Sequence, residues 1–268
     1  MSDDYKPVLR AGSDPLVFFK YPGEGGGEIS RGQVIAAAIS HELRDGETVV
    51  MGANSLLPLA AARLAQLTHA PNLTIIAGAS GGINTLVEPL VPSSGDYSNL
   101  IAEAALTFPE VLTLQMGGKT DVFFAGGIQI DRHGACNLAY IERERKVTLR
   151  GPGSAGVPWA GRSGRTILYT TTHTTKTFVP EVDFVSLPGW NSGHGPDLIV
   201  TPLCVFSFTD AREIRLVSIH AGVTSEQVRA NTGFSLPDGD PPETPAPTAQ
   251  ELQIMRAFDL DGLLTVVV

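Results

Sequence analysis

The chain has 268 residues, 43% of them hydrophobic and 18% charged, enough apolar material for one large core or two small ones. A formal charge of -9, with a pI near 5.1, excludes a generally basic surface for nucleic acid or anionic membrane and leaves room only for local basic pockets. Two cysteines, Cys136 and Cys204, give neither a disulfide framework nor metal-ligand spacing, and a reducing cytoplasm is the expected location.

The start, MSDDYKPVLR, lacks a basic segment followed by an apolar one, so no signal peptide is expected, and no run reaches the length of a membrane span. Residues 1–28, with Pro15, Pro22 and the glycine cluster 23–28, read as an extended arm; residues 29–268 read as a single α/β domain. Ser30 is placed to cap a helix over 31–44, whose Val34, Ile35, Ala38 and Ile39 recur at helical spacing. A short buried strand at 47–51 leads to Gly52-Ala53-Asn54, and a helix over 57–67 follows. The strand at 72–77 opens into Gly78-Ala79-Ser80-Gly81-Gly82. Residues 98–108 read as another helix.

The run 122–125 is strand-like, breaks at Gly126-Gly127, resumes over Ile128-Gln129-Ile130 and turns at Asp131-Arg132-His133-Gly134 before Asn137. Charged residues 142–146 suggest a solvated face. Strands are expected at 166–170, 182–185, 198–200, 204–208 and 214–219, a Pro-rich surface linker at 235–248, a helix at 249–258, and a closing strand or interface segment at 263–268. This alternation predicts an open, mostly parallel sheet with flanking helices, whose ligands lie beyond the carboxyl ends of the strands. The glycine-bearing ends at 52, 78–82 and 126–127 are candidates to line one crevice.

Sharp chemical motifs are lacking. Gly151-Pro-Gly-Ser-Ala-Gly156 has neither the flanking strand and helix nor the lysine and hydroxyl pair of a phosphate loop. The six histidines are scattered, so no metal is expected. Gly78-Ala79-Ser80-Gly81-Gly82 fits Gly-x-Ser-x-Gly, but the glycines and the prolines that follow oppose the helix a nucleophile elbow needs.

The order of segments resembles the beta subunit of family I CoA-transferases of the glutaconate CoA-transferase type, including decarboxylase and ring-opening hydrolase relatives. The agreement covers about residues 30–235, and its strongest piece runs from Gly117-Gly118 and Asp121 through Gly126-Gly127, Gln129, Asp131-Arg132, Gly134 and Asn137. Supporting segments are 151–156, 173–179, 183–189, Thr201 with Val205-Phe206, and His220 to Val223 with Thr232-Gly233-Phe234. The resemblance implies a CoA-transferase-like α/β fold and a homologous alpha-type partner in a heterodimer or heterotetramer. It also implies a coenzyme A thioester as substrate, with no permanently bound cofactor.

In the transferases a glutamate just after the strand matching 73–77 attacks the thioester, helped by glycine-rich backbone that stabilises the oxyanion. Here that loop holds no carboxylate until Glu88, and Ser80 is the nearest match to the glutamate position, with Ala79 next. A serine cannot form the acyl anhydride of CoA transfer, so hydrolysis or C–C cleavage is the expected chemistry. The alternatives are conventional transfer with catalysis from the partner, a noncatalytic acyl-CoA-binding scaffold, and an independent serine hydrolase using Ser80.

Individual residues carry paired expectations. Ser80 is a nucleophile, a hydrogen-bond donor or a turn residue; Asn54 holds a carboxylate or water, or caps the next helix. Gly81, Gly82, Gly126 and Gly127 line the thioester site or form simple bulges. Gln129 is a pocket donor or a solvent-side residue; His173 and Lys176 contact a substrate carboxylate or CoA phosphates, or are surface groups. Asp131 and Arg132 form a turn or interface ion pair, and Asn137 belongs to the same structural segment. Cys136 is a buried small hydrophobe. Glu88 and Glu103 are the available downstream carboxylates.

Overall fold

The computed structural model describes residues 29–86 and 89–266; the arm expected over 1–28, together with Glu88, lies outside the described residues. In chain order come α1 (Arg31–Ser40), β1 (Thr48–Met51), α2 (Leu56–Leu67), β2 (Thr74–Ala77), β3 (Gly82–Thr85), β4 (Ala102–Ala105), α3 (Phe108–Met116) and β5 (Val122–Gly126). They are followed by β6 (Gln129–Ile130), β7 (Cys136–Asn137), β8 (Tyr140–Arg143), β9 (Lys146–Arg150), β10 (Arg165–Tyr169), β11 (Leu198–Val200), β12 (Cys204–Phe208) and β13 (Ile214–Ile219). The helices α4 (Ser225–Ala230), α5 (Ala249–Phe258) and α6 (Leu263–Val266) complete the described fold.

Nine strands form one sheet in the order β13-β12-β11-β10-β5-β1-β2-β3-β4. The five from β11 to β2 are parallel, and an antiparallel pair extends each side. The parallel character the sequence implied is therefore confined to the centre. Those central strands read as unbroken apolar runs because both faces are covered. Val49, Met51, Ile75, Val122, Phe124 and Ile167 point into the core shared with α1, α2, α5 and α6. Val50, Ile76, Phe123, Ala125 and Leu168 point into the core on the other face, with Phe178, Phe206 and Val228.

The helix start at Ser30 is a capping box: its hydroxyl accepts from Gln33 N at 3.2 Å, and the Gln33 side chain accepts from Ser30 N at 3.0 Å. Three expectations are corrected. The helix expected over 98–108 is a 3-10 turn (Tyr97–Leu100) followed by β4, because β3 offers an open ladder, while the box of Thr107 and Glu110 delays the helix to Phe108.

Residues 182–185 are no strand, since Asp183 is committed sideways: its N donates to Gln129 Oε1 at 3.0 Å and its Oδ2 accepts from Glu142 N at 2.8 Å. The closing strand is instead α6, whose first turn is held by Asp259 carboxylate oxygens accepting from Leu263 N and Leu264 N at 2.7 and 3.0 Å. Residues 235–248 carry no regular element, and most are exposed; Thr244 is buried, however, bonded through its hydroxyl to Ser218 and His220. The charged stretch at 142–146 lies on the exposed hairpin of β8 and β9.

Candidate active site

The chain leaves β1 through α2 to reach β2 on one side, whereas β5 lies on the other side of β1 and leads on to β10. The strand order therefore reverses between β1 and β5, a switch point at which ligands of open α/β sheets bind beyond the carboxyl ends, so the candidate crevice is bounded by the ends of β5, β1 and β2. Parallel register aligns Met51 with Ala77 and with Phe124, and Gly126 with Tyr169, so the three glycine-bearing ends share one edge of the sheet.

Gly52, Ala53 and Asn54 are exposed on one wall. Asn54 adopts left-handed φ of 59°, a conformation asparagine tolerates better than most residues, and its N–H donates to Ser93 Oγ at 3.0 Å. It does not cap α2; Ser55 is the N-cap. The Ser55 hydroxyl makes no capping bond and instead pairs with the Tyr169 hydroxyl at 3.1 Å, which also lies 3.4 Å from the Asn54 carbonyl oxygen. Tyr169, the last residue of β10, thus spans the crevice across Gly126, and burial raises its phenol pKa. The first turn of α2 faces this junction without a side-chain cap, a polarity suited to negative charge.

On the second wall, Gly78 follows β2 directly. A Cβ there would stand 2.5 Å from the Met51 carbonyl oxygen. The place immediately after the strand therefore admits no side chain, let alone a carboxylate. Ser80 closes the turn: its N–H and hydroxyl both donate to the Ala77 carbonyl, each at 3.1 Å, and among the described residues no imidazole or carboxylate is bonded to it. Its geometry is that of a turn residue. Gly81 has φ of 93° and sits where a Cβ would meet the Leu106 carbonyl oxygen at 1.9 Å; Gly82 sits equally close to the Asn99 carbonyl oxygen. Both are glycine so that β4 and its preceding turn can approach. Ser93 to Gly95 bridges the two walls, with the Ser94 hydroxyl donating to the Gly52 carbonyl and Gly95 lying between Ala53 and Ala79.

Gly126 is less constrained, since a Cβ would find the Tyr169 ring at 3.6 Å, whereas at Gly127 it would meet Cys136 Sγ at 2.4 Å. Cys136 is the buried hydrophobe expected, its thiol pushed up to about 12 by burial. Gln129 is fully buried, which removes the solvent-side option: its Oε1 accepts from Asn137 Nδ2 at 2.7 Å and from Asp183 N. Asn137 in turn binds Tyr140 O and the amides of Ala139 and Tyr140.

Asp131 stabilises the turn, but through backbone amides and not by pairing with Arg132 within the chain. Asp131 Oδ1 accepts from His133 N and Ala135 N at 2.9 and 3.0 Å, while Arg132 is exposed. Burial raises the Asp131 pKa against those two bonds.

His173 is also corrected: it is buried, with Nδ1 against Thr201 Oγ1 at 2.9 Å and Nε2 against Thr232 Oγ1 at 3.1 Å, leaving no ring nitrogen for a substrate. His220 lies beside it, bonded to Thr201 O and Thr244 Oγ1. Burial holds both imidazoles neutral, with pKa values of about 3 for His173 and about 4 for His220. Lys176 is exposed beyond the threonines. Glu103 is engaged by Asn84 Nδ2 at 2.8 Å on the outer strands, away from the crevice. Among the described residues no group of His, Cys, Asp or Glu is arranged to hold a metal ion.

Sequence reading missed Tyr169, Ser55 and the Ser93–Gly95 bridge. The only local signal was a hydroxyl-bearing aromatic at a strand end.

The family model for coenzyme A transferase matches residues 33–231. A 3-oxoadipate CoA-transferase chain of Pseudomonas knackmussii is 31% identical over 246 residues, covering 86% of this chain and 93% of its own. The cholesterol ring-cleaving hydrolase IpdB subunit of Rhodococcus jostii is 30% identical over 240 residues, covering 85% and 92%. A solved variant of the decarboxylase AibA/AibB is 26% identical with a TM-score of 0.82, covering 90% of this chain and 100% of that one.

Two measurements check this geometry. Gly78→Ala is expected to cost about 1–3 kcal/mol of unfolding free energy in urea, because its Cβ overlaps a backbone oxygen, whereas Gly126→Ala should cost about 1 kcal/mol or less. For the histidines, folded pKa values below the unfolded value mean that the unfolded chain binds more protons below about pH 6.5. Their contribution is complete above that pH and is lost as the pH falls toward 4. His220→Gln should flatten the fall in stability between pH 6.5 and 4 by up to about 1.4 kcal/mol per pH unit.

Proposed function

This chain belongs to the coenzyme A transferase family as a beta-type subunit, and we propose that with an alpha-type partner it acts on an acyl-CoA thioester by hydrolysis or C–C bond cleavage. The observation that carries this reading is the second wall of the crevice. The residue after β2 is Gly78, packed against the Met51 carbonyl oxygen, and its loop holds no acidic residue through Gly82. Acyl transfer through an anhydride needs a carboxylate within reach of the thioester. This wall supplies backbone and a hydroxyl already donated to Ala77.

In this reading the chain builds the pocket and the partner brings the group that attacks or moves the proton. The uncapped first turn of α2, fixed by the bond between Tyr169 and Ser55, stabilises the thioester oxygen as it gains charge. Gly126 lies along the pantetheine arm, whereas the space over Gly127 is taken by Cys136, and exposed Asn54 holds a carboxylate or a water at the rim. Exposed Lys176 is free to meet a phosphate. Names of similar proteins support hydrolysis through the IpdB subunit and carbon–carbon cleavage through the AibA/AibB decarboxylase. Conventional transfer is the second reading, favoured by the 31% identity to a 3-oxoadipate CoA-transferase chain.

Incubating the co-expressed alpha–beta complex with acyl-CoA thioesters and labelled free carboxylates separates these readings. Release of free CoA or of a cleaved carbon fragment, without label entering thioester, is expected; exchange of label at a comparable rate would establish transfer. Ser80→Ala should keep turnover within about threefold, while removing the partner's catalytic carboxylate should lower it by about 10²–10⁴.

A further inference from the structure

Glycines around the crevice are of two kinds. Gly78, Gly81 and Gly82 are forced, because a Cβ on any of them would meet a carbonyl oxygen at 2.5 Å or less. Gly52 and Gly95 are not forced, and neither has a left-handed φ. A Cβ on Gly52 would meet nothing within 4 Å, and one on Gly95 would stand 3.3 Å from Ser93 Oγ, 3.4 Å from Ala79 Cβ and 3.8 Å from Ala53 Cβ. A small niche is therefore left open beside Gly95, between the ends of β1 and β2, lined by two methyl groups and one hydroxyl. Ala79, which stands beside Ser80 in the loop lacking a carboxylate, presents only its methyl group there.

The hydroxyl is arranged to give its proton. Ser93 Oγ accepts from Asn54 N and from Gly95 N, each at 3.0 Å, which uses both of its lone pairs. Among the described residues no acceptor is bonded to its proton, whereas Ser94 donates to the Gly52 carbonyl and Ser80 to the Ala77 carbonyl. Amides that donate to a hydroxyl oxygen polarise its O–H bond and strengthen the hydrogen bond it gives. The oxygen is also fixed in place. Asn99 Nδ2 donates to the carbonyl oxygens of Ser93 and Asp96, each at 3.0 Å, and Ser94 ties the same loop to the end of β1. Ser93 itself is only half-buried, so a ligand can reach it.

A neutral, fixed donor beside an apolar niche suits an oxygen that becomes charged during reaction more than one that arrives fully charged, which calls for cations. In a thioester that atom is the carbonyl oxygen, which gains charge both when water attacks and when an enolate forms at the adjacent carbon. We infer that the Ser93 hydroxyl donates to the thioester carbonyl oxygen, seated in the niche between Ala53 and Ala79. The hydroxyl keeps its proton, and no bond at Ser93 is made or broken. This rests on the reading that the chain, with its partner, acts on an acyl-CoA thioester.

Three substitutions in the co-expressed alpha–beta complex separate donation from turn-making. Ser93→Thr keeps the hydroxyl; Ser93→Asp keeps an acceptor for the two amides but has no proton to give at neutral pH; Ser93→Ala keeps neither. Turnover by Ser93→Thr should stay within about tenfold of the parent, while Ser93→Asp and Ser93→Ala should each lose about 10²-fold or more in kcat with KM changed less than about threefold. Gly95→Ala fills the niche without removing a hydrogen bond, and it should lower kcat/KM by about tenfold or more while melting with the parent. Acetoacetyl-CoA supplies a readout without turnover, since the enolate left when its C2 proton passes to buffer absorbs in the near ultraviolet. The parent complex should lower the pH at which that enolate appears, and Ser93→Ala should raise it again by about one pH unit or more.

Parent-like turnover by Ser93→Asp would make Ser93 a turn residue alone and overturn the donor while leaving the proposed function standing. An enolate titration unmoved by Ser93→Ala, or a Gly95→Ala complex with parent kinetics, would do the same. Entry of labelled carboxylate into thioester at a rate comparable to turnover would instead overturn the proposed hydrolysis or cleavage, and the enolate titration would still decide the role of Ser93.

Discussion

Close backbone packing at the carboxyl ends of the parallel strands is the constraint from which the rest follows. Gly78 lies against the Met51 carbonyl, Gly81 against Leu106 and Gly82 against Asn99. At each, a single methyl group would push a carbonyl oxygen away. These contacts let the antiparallel pair of β3 and β4 fold back beside β2 while the Ser93–Gly95 bridge lies over the strand tips. The candidate crevice at the ends of β5, β1 and β2 is therefore walled, on its β2 side, by main chain rather than by long side chains.

That wall limits the chemistry available to it. Amides of the α2 first turn, the exposed Asn54 and the paired hydroxyls of Tyr169 and Ser55 are groups that orient and stabilise charge. None is an activated nucleophile, and Ser80 spends its hydroxyl on the turn. Membership in the coenzyme A transferase family, without a carboxylate on this wall, is what supports the proposal that two chains divide the labour. A pocket whose polar groups are already fixed costs little reorganisation when charge develops.

A second set of buried polar groups has a structural task. Gln129 and Asn137 join the short sheet of β6 and β7 to the base of the β8–β9 hairpin, and Asp131 closes the intervening turn through two backbone amides. Farther along, His173 and His220 share Thr201, one through its hydroxyl and the other through its carbonyl, and so tie β10, β11 and the segment around Thr244 together. Burial keeps these imidazoles neutral, which suits hydrogen bonding within a core and removes them from substrate contact.

The α/β class, the apolar central strands, the start of α1 at Ser30 and the glycine-marked strand ends are all legible in the order of residues. Each depends on local preference: binary patterning, a cap within three residues, or a position that rejects a side chain. The same order also shows the absence of a carboxylate from residues 78–82, because composition of a short loop needs no tertiary contact to read. Contacts made across the assembled fold are what pair residues 102–105 as an edge strand, coil 263–266 onto α1, and commit Asp131 to amides instead of Arg132. The same holds for His173, which lies 28 residues from Thr201 and 59 from Thr232, so no local pattern could reveal that both ring nitrogens are satisfied. Hydrogen-bond partners distant in the chain decide whether a polar side chain faces a ligand or the core, and that choice exists only once the sheet has assembled.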